Sequence, residues 1–346
     1  MEKIKLSEIV LIPDINSLKR VDMSDEEYFS SKYSDYVSNS RMKLINPEEG
    51  GSPQKYKNPP HFVSNSLSIG SVVHQIILQP ESFDMAPKMG RPTAKLGNCV
   101  DEIIKLRKQG IGGYKAFEIA SERADYYAGK LNSFRIRDII KKGIKYYFNS
   151  KSYTGTGTIL SDVDWDAADA AIKSIQANNE IMEKLHPSTL FGDSPESYME
   201  DAMFIDFWVI YKGQATKLKY KMKIDNWTID TENKKLILND LKTARDNPEY
   251  FATKSGHLQT FNYYRQGSLY GDVLKLYCAK EYGFTERDWD FEVNFLVVRN
   301  NPPYNSKCCF MNHWYYEKGQ KEYQRLFKMI GYYNLFGWDS EVEFED

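Results

Sequence analysis

Two aspartates and a lysine stand at the ends of two alternating segments of this chain of 346 amino acids. The first segment, residues 217–225, ends at Asp225, and the second, residues 236–243, contains Asp240 and Lys242. Because side chains two apart on a strand share a face, Asp240 and Lys242 are predicted to lie side by side. Carboxylate oxygens are ligands that Mg²⁺ prefers, and a metal beside an ammonium group is suited to phosphodiester hydrolysis.

A row of lysines shares the strand parity of Asp225. Its members are Lys217, Lys219, Lys221 and Lys223. The net charge of the chain is −2, so any affinity for nucleic acid must come from local patches such as this one. The row is therefore a candidate track for a DNA backbone. The pattern alone equally fits a hairpin with a solvated lysine face and two aspartates at turns.

Four motifs in order extend this pattern. They are Gly70-x-x-x-His74 running into Leu78-x-Pro80-Glu81-x-Phe83, then Asp225, then Asp240-Leu241-Lys242-Thr243, and finally Tyr264-Arg265-Gln266 with Tyr270. In this order they resemble the motifs of the PD-(D/E)XK nuclease superfamily, and in particular its RecE-like (exonuclease VIII) and lambda-exonuclease-like phage branch. The resemblance covers roughly residues 60–300.

The resemblance implies a role for each matching residue. The implied metal ligands are Asp225, Asp240, the carbonyl of Leu241 and His74, with Mg²⁺ as the cofactor and Mn²⁺ as a substitute. The implied catalytic residues are Asp225, Asp240, Lys242, Gln266 and Tyr270. Glu200 matches an acidic residue that precedes the first core strand and is a further candidate.

Two of these assignments have an alternative. Gln259 stands four residues before Tyr263, the same spacing as Gln266 and Tyr270, so either glutamine fits the motif. His74 lies beside the apolar stripe of a predicted helix, where a lone histidine is usually structural.

Other basic residues are candidates for DNA contacts. Arg91 belongs to a basic loop after the first motif, and Arg265 lies within the last one. Two more basic sets have no motif to support them, and both fit an ordinary solvated helix face. They are Lys105, Arg107 and Lys108, and then Arg135, Arg137, Lys141, Lys142 and Lys145.

The elements around these motifs predict a mixed α/β fold. Apolar periodicity predicts a helix over 64–78, three strands over 202–211, 218–229 and 235–241, a helix over 255–277, a strand over 291–298 and a helix over 318–333. The resemblance identifies this order as the αβββαβ core of the restriction-endonuclease-like fold with a central mixed sheet. We expect a partly flexible extension over 1–60, then a nuclease domain over 61–346 with a helical insertion at about 95–190.

The resemblance implies a metal-dependent exonuclease that hydrolyses phosphodiester bonds from double-stranded DNA ends, in phage recombination or DNA processing. An endonuclease or repair nuclease on the same core, and a non-catalytic nucleic-acid-binding protein, are the alternatives. Expected partners are DNA, a single-strand annealing protein and further copies of the chain. No apolar stretch is long enough to span a bilayer and the N-terminus lacks a secretory pattern, so we expect a cytoplasmic protein of a bacterium or phage-infected cell.

Overall fold

The computed structural model describes residues 2–59, 69–81, 83, 85–155, 157–187 and 195–345. Its contacts divide the chain into two units. The first contains Met1–Phe62, Ala177–Val297 and Ser306–Asp346, and the second contains Val63–Gln176 and Val298–Asn305.

Eight strands are present in the described part of the chain. They are β1 (Glu2–Lys5), β2 (Val10–Val21), β3 (Glu196–Tyr211), β4 (Gln214–Asp230), β5 (Lys235–Ala244), β6 (Asp290–Arg299), β7 (Ser306–Phe310) and β8 (Val342–Glu345). Strands β2 to β7 form a mixed six-stranded sheet in chain order, and β1 pairs in parallel with β8. The pairs β2–β3, β3–β4 and β4–β5 are antiparallel.

The helices fall between these strands and after them. They are α1 (Asp25–Tyr28), α2 (Asn39–Met42), α3 (Pro53–Lys57), α4 (Ile69–Leu78), α5 (Ala94–Lys108), α6 (Gly113–Arg123), α7 (Asn132–Ser152), α8 (Asp162–Gln176), α9 (Asn179–Leu185), α10 (His257–Thr260), α11 (Tyr263–Tyr282) and α12 (His313–Phe336). The predicted order of helix, three strands, helix and strand is confirmed by α4, β3 to β5, α11 and β6. Residues 64–68 of the first predicted helix lie outside the described residues.

The first unit is built around one apolar core between the sheet and the helices α11 and α12. Aromatic rings of the sheet meet α12 at its centre, where Phe207 and Tyr220 lie 4.9 and 5.4 Å from Phe327 between ring centroids. Gly331 of α12 approaches β3 so closely that a Cβ atom there would lie 2.3 Å from Val209 Cγ1. The helix therefore packs directly on the strands that carry the acidic residues.

The second unit is helical. Its larger core is formed by α5, α6 and α7 and includes Val100, Ile103, Ile139 and Tyr146. Helices α4 and α8 pack on each other around Val72 and Ala168. The helices predicted between about 95 and 190 are present as α5 to α9.

Strand β2 was not predicted. Residues 1–60 are predicted above to form a partly flexible extension, whereas Val10–Val21 forms the edge strand of the main sheet beside β3. The strand carries Pro13 and a register irregularity between Asp14 and Lys19, and both features are typical of an edge. None of the described helices combines the length and the hydropathy needed to cross a membrane.

Candidate active site

Three acidic residues occupy one row across β3, β4 and β5. The pairs Met199–Asn226 and Asp201–Ile224 place Glu200 opposite Asp225. The β4–β5 ladder ends at the pair Asn226–Asn239, so Asp225 and Asp240 are the next positions along the two strands. Carboxylate oxygens of Glu200 and Asp225 lie within 4.8 Å of each other. Alternation within a strand decides which face each acidic residue takes. The register between the strands then brings the three acidic residues together.

Asp225 caps the end of the β4–β5 ladder with its side chain. Its Oδ2 accepts a 2.7 Å hydrogen bond from the backbone N–H of Leu241. Burial raises the pKa of Asp225, although the Lys242 ammonium group and the Leu241 N–H both oppose that shift. A cation placed beside this carboxylate would favour its ionised form.

Asp240 is held from two sides. It is 3% exposed, its Oδ1 accepts a 2.7 Å hydrogen bond from Gln266 Nε2, and its Oδ2 forms an ion pair with Lys242 Nζ. Burial alone would lower the pKa of Lys242, but the carboxylates of Asp240 and Asp225 raise it above its ordinary value. Lys242 is therefore an ammonium group at neutral pH, able to donate hydrogen bonds and to neutralise negative charge.

Two tyrosines enclose this cluster. Lys242 Nζ lies 5.1 Å from the ring centroid of Tyr263, which stacks on Phe251 at 6.0 Å. Tyr270 is buried, and burial followed by the nearby charges of Tyr28, Asp240 and Asp225 raises its pKa well above the ordinary value. The phenol of Tyr270 therefore stays protonated, and it interacts with Gln266.

The structure distinguishes the two candidate glutamines. Gln266 lies on α11 and contacts Asp240, whereas Gln259 lies on α10 and accepts a 2.8 Å hydrogen bond from Lys318 Nζ. The helix breaks between them at Asn262, whose φ of +54° is a left-handed conformation that asparagine tolerates. The break ends α10 and begins α11, so the two glutamines lie on different helices.

Glu200 and His74 have different surroundings. Glu200 has a φ of +55° within β3, and its carboxylate accepts from Lys223 Nζ at 2.6 Å. A left-handed glutamate inside a strand is unfavourable, and such backbone is concentrated at functional sites.

His74 is half-buried on α4 of the second unit, as the sequence periodicity predicts. The Leu241 N–H bonds Asp225, and the role of its carbonyl stays a prediction.

The lysine row lies on one strand face, where Lys217 and Lys219 are exposed and the other two lysines are buried or half-buried. The N-terminal segment 25–37 lies along β4, and Val37 exchanges backbone hydrogen bonds with Lys219 and Lys221. Five acidic residues and one backbone carbonyl pair with the four ammonium groups. Lys217 pairs with Asp14 and Asp206, Lys219 with Asp35, and Lys223 with Asp25 and Glu200, while Lys221 donates to the carbonyl of Tyr28.

Lys221 is the most buried member of the lysine row, and a DNA contact by it stays a prediction. It is 8% exposed, and its Nζ donates at 2.6 Å to the Tyr28 carbonyl and lies 4.4 Å from the Tyr28 ring centroid. Burial, followed by the positive charge of Arg41, lowers its pKa. Its contacts are those of a structural lysine. DNA contacts by the partly exposed Lys219 and by Lys223 stay predictions, and either would have to exchange an existing ion pair.

Arg265 and Arg91 are also held by groups of the chain, and a DNA contact by either residue stays a prediction. Arg265 is 0% exposed, and its guanidinium group pairs with Glu49 at 2.5 Å and bonds Asn39. Arg91 bonds Asp101 through Nε at 3.0 Å and Nη2 at 2.6 Å within the second unit. Both guanidinium groups are held by carboxylates of the chain rather than offered to a phosphate.

Two residues near the acidic cluster were not predicted from the sequence as members of the site. Tyr263 lies against Lys242, and it could have been found because it immediately precedes the glutamine motif. Lys43 follows α2; burial lowers its pKa, and the charges of Arg265 and Lys242 lower it further while Glu49 opposes them. Nothing in the local sequence of Lys43 indicates a position near Lys242 and Arg265, because these two residues are about two hundred positions further along the chain.

The donor set fits a hard divalent cation. Glu200, Asp225 and Asp240 offer only carboxylate oxygens, the ligands that Mg²⁺ and Mn²⁺ prefer over nitrogen or sulfur. Buried carboxylates in a row repel one another, and a cation would relieve that repulsion. Lys242 and Gln266 supply hydrogen-bond donors at the same place.

Comparisons with known proteins add two structural likenesses. No family model and no curated protein matches the sequence. A crystal structure from Eubacterium rectale described as a "Putative exonuclease" aligns with 93% of this chain and 89% of its own, at 11% identity and a TM-score of 0.43. Protein VC1899 from Vibrio cholerae aligns with 76% of this chain and 54% of its own, at 9% identity and a TM-score of 0.18. At these TM-scores neither likeness identifies an activity.

Proposed function

We propose that this chain is a metal-dependent DNA exonuclease of the RecE-like kind that hydrolyses phosphodiester bonds from double-stranded ends. The observation that carries the proposal is the support of Asp240, whose two oxygens are held by Lys242 and Gln266 beside Asp225 and Glu200. An aspartate, an Asp-x-Lys pair and a glutamine on the following helix are the residues that the resemblance requires, and they meet in one unit.

In this proposal Asp225, Asp240 and Glu200 hold Mg²⁺ or Mn²⁺, and His74 and the Leu241 carbonyl complete the ligand set as the resemblance implies. When bound, such a metal activates water and stabilises the charge that develops on the phosphate. The carboxylates themselves orient the cation, and the Leu241 N–H fixes the position of Asp225.

Lys242 acts in this proposal as a fixed positive charge. Because its pKa is raised, it does not serve as a base at neutral pH. Its ammonium group would instead orient the attacking water by hydrogen bonding and neutralise negative charge on the phosphate. Tyr263 limits the movement of the lysine by covering one side of it.

The activity is tested on two DNA substrates of the same sequence. Purified protein with Mg²⁺ is incubated with linear duplex DNA and with covalently closed circles. The proposal expects loss of the linear molecule from its ends and survival of the circles. Cutting of the circles would support the endonuclease alternative. Binding of DNA without hydrolysis of either substrate would support the non-catalytic alternative.

The site is tested with two variants and matched controls. Asp240→Asn and Lys242→Met are expected to lower the rate at least about a hundredfold, because each removes a group that acts on developing charge. The controls are Asp246→Asn and Lys254→Met, which change exposed residues a few positions further along. Mn²⁺ affinity, measured by calorimetry, should fall in Asp240→Asn but not in Asp246→Asn. Full activity in both site variants would remove the assignment.

Two partner proposals follow from the same resemblance. We propose that the chain forms a homo-oligomer and acts with a single-strand annealing protein. Sedimentation of the purified chain and co-purification with a separately expressed annealing protein are the measurements. A monomer that degrades DNA ends at the full rate would reject the first of these and leave the nuclease proposal intact.

A further inference from the structure

Helix α7 of the second unit carries an apolar row that its own core does not cover. Ile140, Ile144 and Phe148 are spaced four residues apart and therefore follow one line on the helix surface. They are 44%, 38% and 60% exposed, respectively. Exposed apolar rows of this kind indicate an interaction surface more often than isolated apolar residues do.

This row forms one wall of a groove between α5 and α7. The groove encloses a cavity of about 220 Å³. Its floor is formed by Val100, Ile103 and Gly143, and Phe117 of α6 contributes to the lining. A Cβ atom on Gly143 would lie 2.6 Å from Val100 Cγ2, so the glycine allows the two helices to approach. The lining is mainly aliphatic, which suits an apolar side chain as the occupant.

Positive charge borders the groove on both sides. Arg137, Lys141 and Lys145 are exposed on α7 and form the row beside the apolar one. Arg107, at the end of α5, lies in the lining of the opposite wall. The border thus takes one residue, Arg107, from the first of the two basic sets that no motif supports, and three residues from the second.

The acidic residue of α7 does not offset this charge. Asp138 lies on another side of the helix, where it accepts from the Tyr126 hydroxyl and pairs with Lys142 at 2.9 Å. A partner that matches this surface therefore brings both negative charge and apolar side chains.

We propose that the groove between α5 and α7 binds an acidic peptide segment that inserts one large apolar side chain. Carboxylates of the peptide pair with the basic rows, and the inserted side chain fills the cavity beside Ile144. DNA is the less favoured occupant, because bases stack on planar aromatic faces and the floor of the groove, at Val100, Ile103 and Gly143, offers none. The surface lies wholly in the second unit, so this proposal is independent of the proposed nuclease activity.

The test uses the full chain and a fluorescent peptide in which aspartates alternate with two phenylalanines. Fluorescence anisotropy should show binding that weakens with added salt. Replacing the phenylalanines by serine, or the aspartates by serine, should each lower the affinity at least about tenfold. Equal binding of all three peptides would overturn the proposal.

Variants of the protein localise the binding. Ile144→Ser and the double change Lys141→Glu with Lys145→Glu should each weaken binding at least about tenfold. Val163→Ser and Lys130→Glu alter exposed residues elsewhere in the same unit and should leave it unchanged. The charge variant keeps the test decisive if Ile144→Ser folds poorly, because its substitutions lie on the surface.

Two other results would overturn the proposal. In the first, the chain binds a duplex oligonucleotide but not the acidic peptide, and Ile144→Ser abolishes the oligonucleotide binding. In the second, sedimentation shows self-association of the chain, Ile144→Ser abolishes it, and the chain does not bind the peptide. The first would assign the groove to nucleic acid, and the second to another copy of the chain.

Discussion

The amide of Gln266 donates a 2.7 Å hydrogen bond from Nε2 to Oδ1 of Asp240, which joins α11 to β5 at the acidic row. The other oxygen of the same carboxylate is paired with Lys242. Neither Asp240 nor Lys242 can turn without breaking one of these contacts. Helix α11 therefore sets the direction of the Asp240 carboxylate.

We expect Gln266→Leu to lower nuclease turnover about ten- to a hundredfold, because it leaves one oxygen of Asp240 without its amide donor. The matched control is Gln259→Leu, which has the same motif spacing but bonds Lys318. Steady-state rates on linear duplex DNA and melting temperatures of both variants are the measurements. Equal rates in the two variants would contradict a positioning role for Gln266.

The ion pair of Arg265 and Glu49 is buried in the first unit. Burial alone would raise the pKa of Glu49, but the hydrogen bond and the charge of Arg265, together with hydrogen bonds from Asn46 and Asn262, outweigh it and lower the pKa. Arg265→Met should lower the free energy of unfolding by about 3–5 kcal/mol, because it leaves the glutamate without its main partner. In urea titrations, Arg287→Met at an exposed site should leave the free energy of unfolding nearly unchanged. Adding Glu49→Gln to Arg265→Met should restore part of the free energy that Arg265→Met loses. A cost below about 1 kcal/mol for Arg265→Met would show that the pair is not a stabilising element.

Three buried asparagines link the strands directly behind the acidic row. Asn239 Nδ2 donates to Asn226 Oδ1 at 2.7 Å and to the Lys184 carbonyl at 3.1 Å, and its Oδ1 accepts from Asn294 Nδ2 at 3.1 Å. Asn239→Leu should cost about 2–4 kcal/mol of stability, because several buried polar groups lose their partner together. Chemical denaturation is the measurement, with the exposed Asn334→Leu as the control. A loss no greater than that of the control would mean that the network is dispensable.

Glu292 should make stability depend on acid pH. Partial burial alone would raise its pKa, but hydrogen bonds and charges from Lys184 and Lys235 outweigh it and lower the pKa to about 2, from 4.5. A carboxyl group with a depressed folded-state pKa stabilises the fold above its unfolded value. That stabilisation is lost as the pH falls through the folded value.

We therefore expect the difference in unfolding free energy between the native chain and Glu292→Gln to be about 2 kcal/mol at pH 7. It should shrink as the pH falls from about 4.5 and vanish near pH 2. Denaturant titrations of both proteins at several pH values measure it, and comparison between the two removes the effect of other carboxyl groups. A difference that grows on acidification would contradict the assignment.

The alternation of apolar and polar residues determined where most strands and helices lie. Strands β3 to β5, helix α11 and strand β6 follow from local periodicity, because side-chain parity on a strand and the helical repeat are properties of neighbouring residues. The pairing of Asp240 with Lys242 follows from that parity as well. Edge strand β2 did not follow from it, since Pro13, Asp14 and Asn16 interrupt its pattern and only pairing with β3 makes it a strand.

Contacts between distant segments were decided only by the tertiary structure. The sequence places four lysines on one face of β4, but it gives no sign that Asp25 and Asp35, more than 180 residues earlier, neutralise two of them. The Gln-x-x-x-Tyr spacing fits both Gln259 and Gln266, and the break at Asn262 directs Gln266 to Asp240. Local pattern determines which face a side chain takes. Which groups it meets there depends on register and packing, and these are set by residues far away along the chain.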